Sequence, residues 1–185
     1  ETPPRTQTQT DRRSEIAEAA LRVLGREGHA GLTARKVAAE AGLSLGHISY
    51  NFHGMDEVLA EAYRLLSARL RTASDASLAD PDPRAGLAAF LRAGFTETFL
   101  TPAHIRTRID LWSAATTHPA VAETELALYT HYRARLETLL EPLVPPTRIP
   151  PLADTIMATL DGLWLDWMRL RDPGAVENGL GQLLQ

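Results

Sequence analysis

An all-α fold is predicted by three features of the sequence. Ala, Leu and Arg dominate a chain of 185 residues, and all three residue types favour helices. Apolar residues recur at the three- and four-residue spacing of a helix face in one segment after another. Stretches with proline and glycine separate these segments. We therefore expect about nine helices, the first three forming a small N-terminal domain and the others a larger helical bundle.

The composition narrows the range of functions. Cysteine is absent, so disulfides and thiolate metal sites are excluded. No apolar run approaches the roughly 18 residues of a membrane span, and we expect a cytoplasmic protein with no membrane partner. The formal net charge is -4, and residues 1–60 carry seven Lys and Arg against eight Asp and Glu. Any binding to a polyanion must therefore depend on where the cations lie.

The first elements follow from spacing and capping signals. Residues 1–10 are polar, contain two prolines and have no periodicity, which predicts a mobile arm. A first amphipathic helix is predicted from Asp11. In the second, "LTARKVAAEAG", Thr33 is suited to the N-cap position and Gly42 to the C-terminal stop.

The next stretch, "GLSLGHISYNF", predicts a third helix of low intrinsic propensity, for which Ser44 could supply the N-cap. On a helical wheel Ile48 and Phe52 share one side. The opposite side carries small and hydrogen-bonding groups, namely Gly46, His47, Ser49 and Tyr50. A short helix, a turn and a second helix with this pattern are typical of a helix-turn-helix, whose second helix enters the major groove of DNA. Residues 11–55 are the predicted DNA-binding domain.

Residues 56–185 are predicted to form a second helical domain. A long fourth helix begins near Asp56, and the apolar periodicity predicts further helices over residues 84–100, 103–116, 120–141, 152–171 and 175–184. Proline-bearing loops separate them.

The N-terminal segment "LTARKVAAEAGLSLGHISYNFHGMDEVL" resembles the TetR family of transcriptional regulators. This resemblance implies contacts of Thr33 and Tyr50 with phosphates, and it gives Arg35, Leu45, His47, Ser49 and Asn51 to the groove. The predicted DNA-binding residues also include Ser44, at the turn, and Gly46, which would let the backbone approach the groove closely. The sequence has His53 and Met55 where the family often has lysines, which lowers the expected non-specific affinity for DNA. Three alternatives stay open: His47 as a solvated residue, Asn51 as a helix cap, and Arg35 as a surface charge paired with Glu40.

The C-terminal half resembles the BetI-like branch of the same family, through "IRTRIDLWSAATTHPAVAETELALYTHYRARLETLLEPL" and "LADTIMATLDGLWLDWMRL". This likeness implies a helical effector-binding core and dimerisation through the last two helices. The eighth helix is apolar on more than one side, which also favours burial against a partner helix. The candidate interface residues are Leu160, Leu163, Trp164, Leu180 and Leu183. The alternative is that the eighth helix is central to the core of one chain.

Aromatic residues suggest an effector site for an apolar or cationic ligand, with Asp161 as a possible counter-charge. The candidates are Phe95, Phe99, Trp112, Tyr129, Asp161, Trp164 and Trp167. The same aromatics could instead fill the core, with Asp161 bonded to a helix end or to an arginine such as Arg108.

No catalytic, metal-binding or cofactor motif is found, so an enzyme is not expected. The sequence therefore predicts a ligand-responsive regulator, a repressor that binds a palindromic operator as a homodimer and is released by a small-molecule effector. The alternative is a small-molecule-binding or adaptor protein that has lost DNA binding.

Overall fold

The computed structural model describes residues 7–76 and 80–184, and the secondary structure of this part of the chain is entirely helical. The all-α prediction is confirmed. The α-helices are α1 Gln7–Glu27, α2 Ala34–Ala41, α3 Leu45–Asn51, α4 Met55–Asp75, α5 Pro83–Arg92, α6 Pro102–Ala115, α7 Pro119–Leu140, α8 Ile149–Leu170 and α9 Pro173–Leu183. Short 3-10 helices occur at His29–Gly31, Ala93–Phe95 and Pro146–Arg148.

Helix α1 begins earlier than the sequence predicts. Residues 7–10 were expected in a mobile arm, but they form the first turn of α1. They contain no proline, so they can continue the helical backbone that follows. The remainder of the predicted arm, residues 1–6, lies outside the described residues.

The boundaries of α2 agree with the capping prediction. The Thr33 side chain accepts a hydrogen bond of 3.3 Å from the amide of Lys36. Gly42 adopts φ 67°, a left-handed conformation that suits glycine, and the amide of Leu43 donates to the carbonyl of Ala38 at 2.8 Å. This Schellman ending turns the chain sharply into α3.

By contacts the described chain groups into two compact units. The first contains residues up to 68 together with 106–127, and the second contains 69–105 together with 128–184. Helices α4, α6 and α7 each contribute residues to both units. The boundary at residue 55 was predicted between the DNA-binding domain and the second domain. The two compact units do not test this functional boundary, which stays a prediction.

The first unit is built on one apolar core. Side chains of α1, α2, α3 and α4 fill it, and several are fully buried, including Ile16, Val23, Leu24, Val37, Val58 and Ala62. Because the apolar residues of α1 recur at helical spacing, one side of this helix is available for burial along most of its length.

In the second unit, two close backbone approaches explain where helices end and how they pack. The helix predicted over residues 84–100 stops at Arg92 and continues as the 3-10 helix Ala93–Phe95. A Cβ atom at Gly94 would lie 3.1 Å from the ring of Trp164. In α9, a Cβ atom at Gly179 would lie 2.5 Å from a methyl group of Leu163, so glycine allows α9 to pack tightly on α8.

Candidate nucleic-acid interface and effector cluster

Helix α3 has one exposed face, hereafter the α3 face, formed by Ser44, Leu45, Gly46, His47, Ser49 and Tyr50. Leu45 and Tyr50 are 49% and 80% exposed, although large apolar and aromatic side chains are usually covered. The Ser44 hydroxyl lies 2.8 Å from Nδ1 of His47 and makes no bond to a backbone amide of the first turn. Ser44 therefore orients the imidazole instead of capping the helix.

The opposite side of α3 is anchored in the core of the first unit. Ile48 and Phe52 are 4% and 3% exposed, as the helical wheel predicts. Asn51 is also buried, and its side-chain amide donates to the carbonyl of His47 at 2.8 Å. This geometry agrees with the alternative in which Asn51 fixes the end of the helix, so we leave Asn51 out of the α3 face.

On α2, Thr33 and Arg35 are both exposed. The pairing of Arg35 with Glu40 that the sequence allowed is absent. The Glu40 carboxylate instead binds two arginines of α1, Arg22 at 2.7 Å and Arg26 at 3.1 Å. Arg35 is thus an exposed cation, and Glu40, the partner predicted for it, is already paired with Arg22 and Arg26.

The surface beside the α3 face carries little net positive charge. Lys36 is the sole lysine of the chain, and its ammonium group forms an ion pair with Glu27. The hydrogen bond from Lys36 lowers the pKa of the Glu27 carboxyl below its ordinary value, so the pair is charged at neutral pH. Hydrogen-bonding groups and the Arg35 guanidinium, rather than an extended basic patch, are therefore what this surface offers to a nucleic acid.

In the second unit, four rings form an aromatic cluster, consisting of Phe95, Phe99, His104 and Trp164. The ring centres of Phe95 and Trp164 are 4.8 Å apart. The imidazole of His104 stacks on Trp164 at 5.5 Å and meets Phe99 edge-on at 5.2 Å. These separations are those of favourable ring pairs. Phe99 and Trp164 are 6% and 4% exposed, so the rings of the cluster are largely covered by their neighbours.

An open groove of about 1030 Å³ adjoins the aromatic cluster at Phe99. Alanines line much of its wall, and Arg69, Asp80 and Arg92 supply charged groups. The Arg92 guanidinium pairs with Glu177 of α9 at 2.5 Å. The hydrogen bond from Arg92 lowers the pKa of the Glu177 carboxyl, so this ion pair persists at neutral pH.

Two family profiles match the chain. The profile described as "Bacterial regulatory proteins, tetR family" covers residues 16–62, which include α2 and α3. The profile described as "BetI-type transcriptional repressor, C-terminal" covers residues 83–183, more than half of the chain. The chain belongs to the TetR family of transcriptional regulators.

Individual proteins of known name agree with this assignment. The HTH-type transcriptional regulator BetI of Burkholderia thailandensis is 29% identical over 83% of this chain and 80% of its own length. A transcriptional regulator from Rhodococcus sp. Rha1 has a crystal structure with TM-score 0.84 and 26% identity, covering 93% of each chain. The multidrug binding protein EbrR complexed with ethidium has TM-score 0.71 and 28% identity, covering 94% of this chain and 98% of its own.

As a TetR-family protein, the chain is a DNA-binding transcriptional regulator with a helix-turn-helix, and it is not an enzyme. Within residues 7–76 and 80–184, no three His, Asp or Glu side chains are grouped as metal ligands. In the same residues, no helix combines the length and apolarity needed to cross a membrane.

Only three of the predicted effector residues of this TetR-family regulator meet in the aromatic cluster, namely Phe95, Phe99 and Trp164. Trp167 is 8% exposed, and the guanidinium of Arg171 lies 4.6 Å from its ring centre. Tyr129 and Asp161 are exposed. Periodicity does not fix which neighbour covers a ring, so the sequence could not tell which of these side chains meet.

Trp112 lies in the first unit, within a different set of contacts. The guanidinium of Arg108 lies 5.1 Å from the centre of its ring. In the same unit the Tyr63 hydroxyl donates to the Glu125 carboxylate. Burial, followed by the charge of Glu125, raises the pKa of Tyr63 above its ordinary range, so the phenol keeps its proton. The contact between Tyr63 of α4 and Glu125 of α7 has no signal in the sequence, because the two residues lie 62 positions apart.

The dimer residues predicted from the sequence are mostly covered within one chain. Leu160, Leu163, Trp164 and Leu180 are 6%, 8%, 4% and 1% exposed. Leu183 is half-buried. The apolar surface of α8 was expected to need a partner helix, but α9 and the aromatic cluster cover it inside the chain. The apolar content of α8 therefore does not by itself require a partner helix, and the dimer interface stays a prediction.

Proposed function

We propose that this TetR-family regulator is a cytoplasmic homodimeric repressor that binds a palindromic operator and is released by a small-molecule effector. The observation that carries the DNA-binding part of the proposal is the one-sided exposure of α3. A recognition helix needs one side fixed to its domain and one side free for base edges, and α3 has both.

In this proposal α3 lies in the major groove with its N-terminal half at the bases. Leu45, His47 and Ser49 meet base edges or thymine methyl groups, and Thr33 and Tyr50 bind phosphates. A Cβ atom at Gly46 would lie 3.7 Å from Ser44 Oγ, with no other atom nearby, so this position offers room for close approach of DNA. Arg35 of α2 reaches a guanine or a phosphate.

A dimer formed through α8 and α9 would place two recognition helices on half-sites about one helical turn, roughly 34 Å, apart. The outer surfaces of these helices support this part of the proposal. A Cβ atom added at Gly162 or at Gly181 would have no neighbour within 4 Å, and Met168 and Leu170 are 37% and 62% exposed. A second copy could cover these positions without disturbing the buried residues.

For the effector, we propose an organic cation, held by the aromatic cluster. A ring face attracts a cation by about 0.5–2 kcal/mol. The likeness to EbrR complexed with ethidium, itself an aromatic cation, supports this class of ligand. The match to a BetI-type transcriptional repressor covers residues 83–183, which contain the whole aromatic cluster.

Binding to the DNA upstream of its own gene, measured by fluorescence anisotropy, tests the DNA-binding part. Arg35→Ala and His47→Ala should each weaken operator binding by about 1–3 kcal/mol. Arg84→Ala, which removes an exposed arginine of the second unit, is the control and should bind like the parent. If Arg35→Ala and His47→Ala both bind like the parent, the docking of α3 is wrong.

Tryptophan fluorescence tests the effector part. The protein without DNA is titrated with choline-like cations and with ethidium. Saturable quenching that weakens in Phe95→Leu supports the aromatic cluster as the site. Absence of a response to both ligand classes contradicts it, and quenching that does not change in Phe95→Leu places the ligand elsewhere.

A further inference from the structure

We infer that Arg13 of α1 is a positioning residue for the recognition helix: it holds the C-terminal end of α3 in the orientation that base recognition requires. Arg13 contacts no part of the α3 face. The inference rests on the proposed docking of α3, and it names the residue that fixes the angle of this helix to its domain.

The contacts of Arg13 converge on the junction of three helices. Arg13 is 4% exposed, and its guanidinium donates to the backbone carbonyl of Asn51, the last residue of α3. Its second terminal nitrogen lies 3.0 Å from Glu57 and 3.3 Å from Glu61, both on α4. The planar group also lies 3.9 Å from the ring centre of Phe52.

Helix α3 needs such support because it is short and intrinsically weak. It has 7 residues, and glycine, histidine, serine, tyrosine and asparagine account for most of them. The last carbonyls of any helix have no amide partner within the helix, and they carry the negative end of its dipole. A guanidinium at the Asn51 carbonyl satisfies both the hydrogen-bonding group and the charge.

The two glutamates make the buried cation possible. A guanidinium removed from water is costly unless it is paired and hydrogen-bonded. Glu57 and Glu61 stand one turn apart on α4, and both face Arg13. The other oxygen of Glu57 accepts a hydrogen bond of 2.8 Å from the amide of His53. One network therefore joins α1, the end of α3 and the start of α4, and the angle of α3 is set at this point.

The neighbouring residue on α1 provides a matched control. Arg12 is half-buried, and its guanidinium pairs with Glu15 of the same helix at 2.7 Å. Replacing either arginine by methionine keeps the length of the apolar stem and removes the charge. The two variants thus differ in whether the lost guanidinium touched α3.

The experiment compares Arg13→Met, Arg12→Met and the parent for binding to the operator and to scrambled DNA of the same length. The binding is measured under conditions in which circular dichroism shows that each variant has native helix content. Arg13→Met should lose operator affinity about tenfold or more, while its affinity for scrambled DNA changes less than about twofold. Partial unfolding would lower both affinities alike, so the ratio of the two separates positioning from stability. Arg12→Met should keep the parental ratio.

Arg13→Lys carries the same test if Arg13→Met does not fold. Lysine offers a point charge and cannot reach the carbonyl and both carboxylates with one planar group. The ratio of operator affinity to scrambled-DNA affinity should therefore be lower in Arg13→Lys than in the parent, but the two affinities should still differ. A folded Arg13 variant with the parental ratio overturns the inference alone. A parent that does not distinguish operator from scrambled DNA overturns the proposed function, and the inference falls with it.

Discussion

Helices α3 and α8 differ in which of their large apolar side chains are covered. Helix α3 has 7 residues, leaves Leu45 and Tyr50 exposed, and is held by Ile48, Phe52 and the contacts of its last turn. Helix α8 has 22 residues, and its buried residues are Ala153, Ile156, Met157, Leu160, Leu163, Trp164 and Trp167. A short helix with few anchors can present a surface to a partner, whereas α8 has its buried side covered by its own chain and leaves Met168 and Leu170 exposed.

This difference shows why apolar content alone does not identify an interface. The exposed leucine and tyrosine of α3 belong to the proposed DNA surface. The rings of Phe95 and His104 cover Trp164 of α8, and the Arg171 guanidinium lies 4.6 Å from the ring centre of Trp167. What a helix offers to a partner depends on which atoms its own chain has already placed over it.

The largest expected effect is on α8. Trp164→Ala should lower the free energy of unfolding by about 3–5 kcal/mol, because Trp164 is 4% exposed and packs against Phe95 and His104. Met168→Ala, on the exposed side of the same helix, should cost about 0.5 kcal/mol or less. Urea denaturation followed by far-ultraviolet circular dichroism measures both. Equal losses would show that α8 is not buried on one side within the chain.

A smaller effect is expected at the α8 and α9 contact. Gly179→Ala places a methyl group 2.5 Å from Leu163, whereas Gly181→Ala meets no atom within 4 Å. Both changes gain the same helix propensity, so Gly179→Ala should be less stable than Gly181→Ala by about 1–3 kcal/mol. Thermal unfolding of the two variants checks this difference. Identical stabilities would mean that Leu163 moves aside without loss.

On α3 the effect should fall on DNA binding and not on stability. Tyr50→Ala removes a side chain that is 80% exposed, so the free energy of unfolding should change by about 0.5 kcal/mol or less. Loss of a hydrogen bond to phosphate should weaken operator binding by about 1.5 kcal/mol, roughly tenfold. Anisotropy titration and urea denaturation of the same sample test both statements. A destabilised variant with normal DNA binding would reverse the role given to the α3 face.

The smallest effect concerns pH and the anchor of α3. Burial opposes ionisation of Glu61, but the hydrogen bond and charge of Arg64 and the charge of Arg13 outweigh it, and the pKa of Glu61 lies below its ordinary value of 4.5. A carboxyl with a lowered folded-state pKa stabilises the protein above pH 4.5, and this stability is lost as the pH falls below that value. Unfolding at pH 7 and at pH 3.5 should show this loss.

The Arg13→Met variant is the control for this pH dependence. Removing the cation removes part of the cause that lowers the pKa of Glu61, so the difference in stability between the two pH values should be smaller than in the parent. An unchanged difference would show that Arg64 alone accounts for the titration.

Local signals in the sequence account for most of the fold. Thr33 and Gly42 mark the ends of α2, and the helical wheel places Ile48 and Phe52 in the core. Arg13 also had a signal that could have been read: it precedes Ile16 by three residues, on the buried side of α1. The pairs Tyr63–Glu125 and His104–Trp164 had none, because residues far apart in sequence meet only in the folded chain.

The sequence by itself determined that the chain is helical, where most helices end and which side of α3 is free, because capping and periodicity act over one or two turns. Tertiary structure alone decided that Asn51 turns inward, that Arg13 is buried against α3, and that the tryptophans of α8 are covered within one chain. The physical reason is that burial and charge pairing depend on neighbours from other helices, and the spacing of residues along one helix does not specify those neighbours.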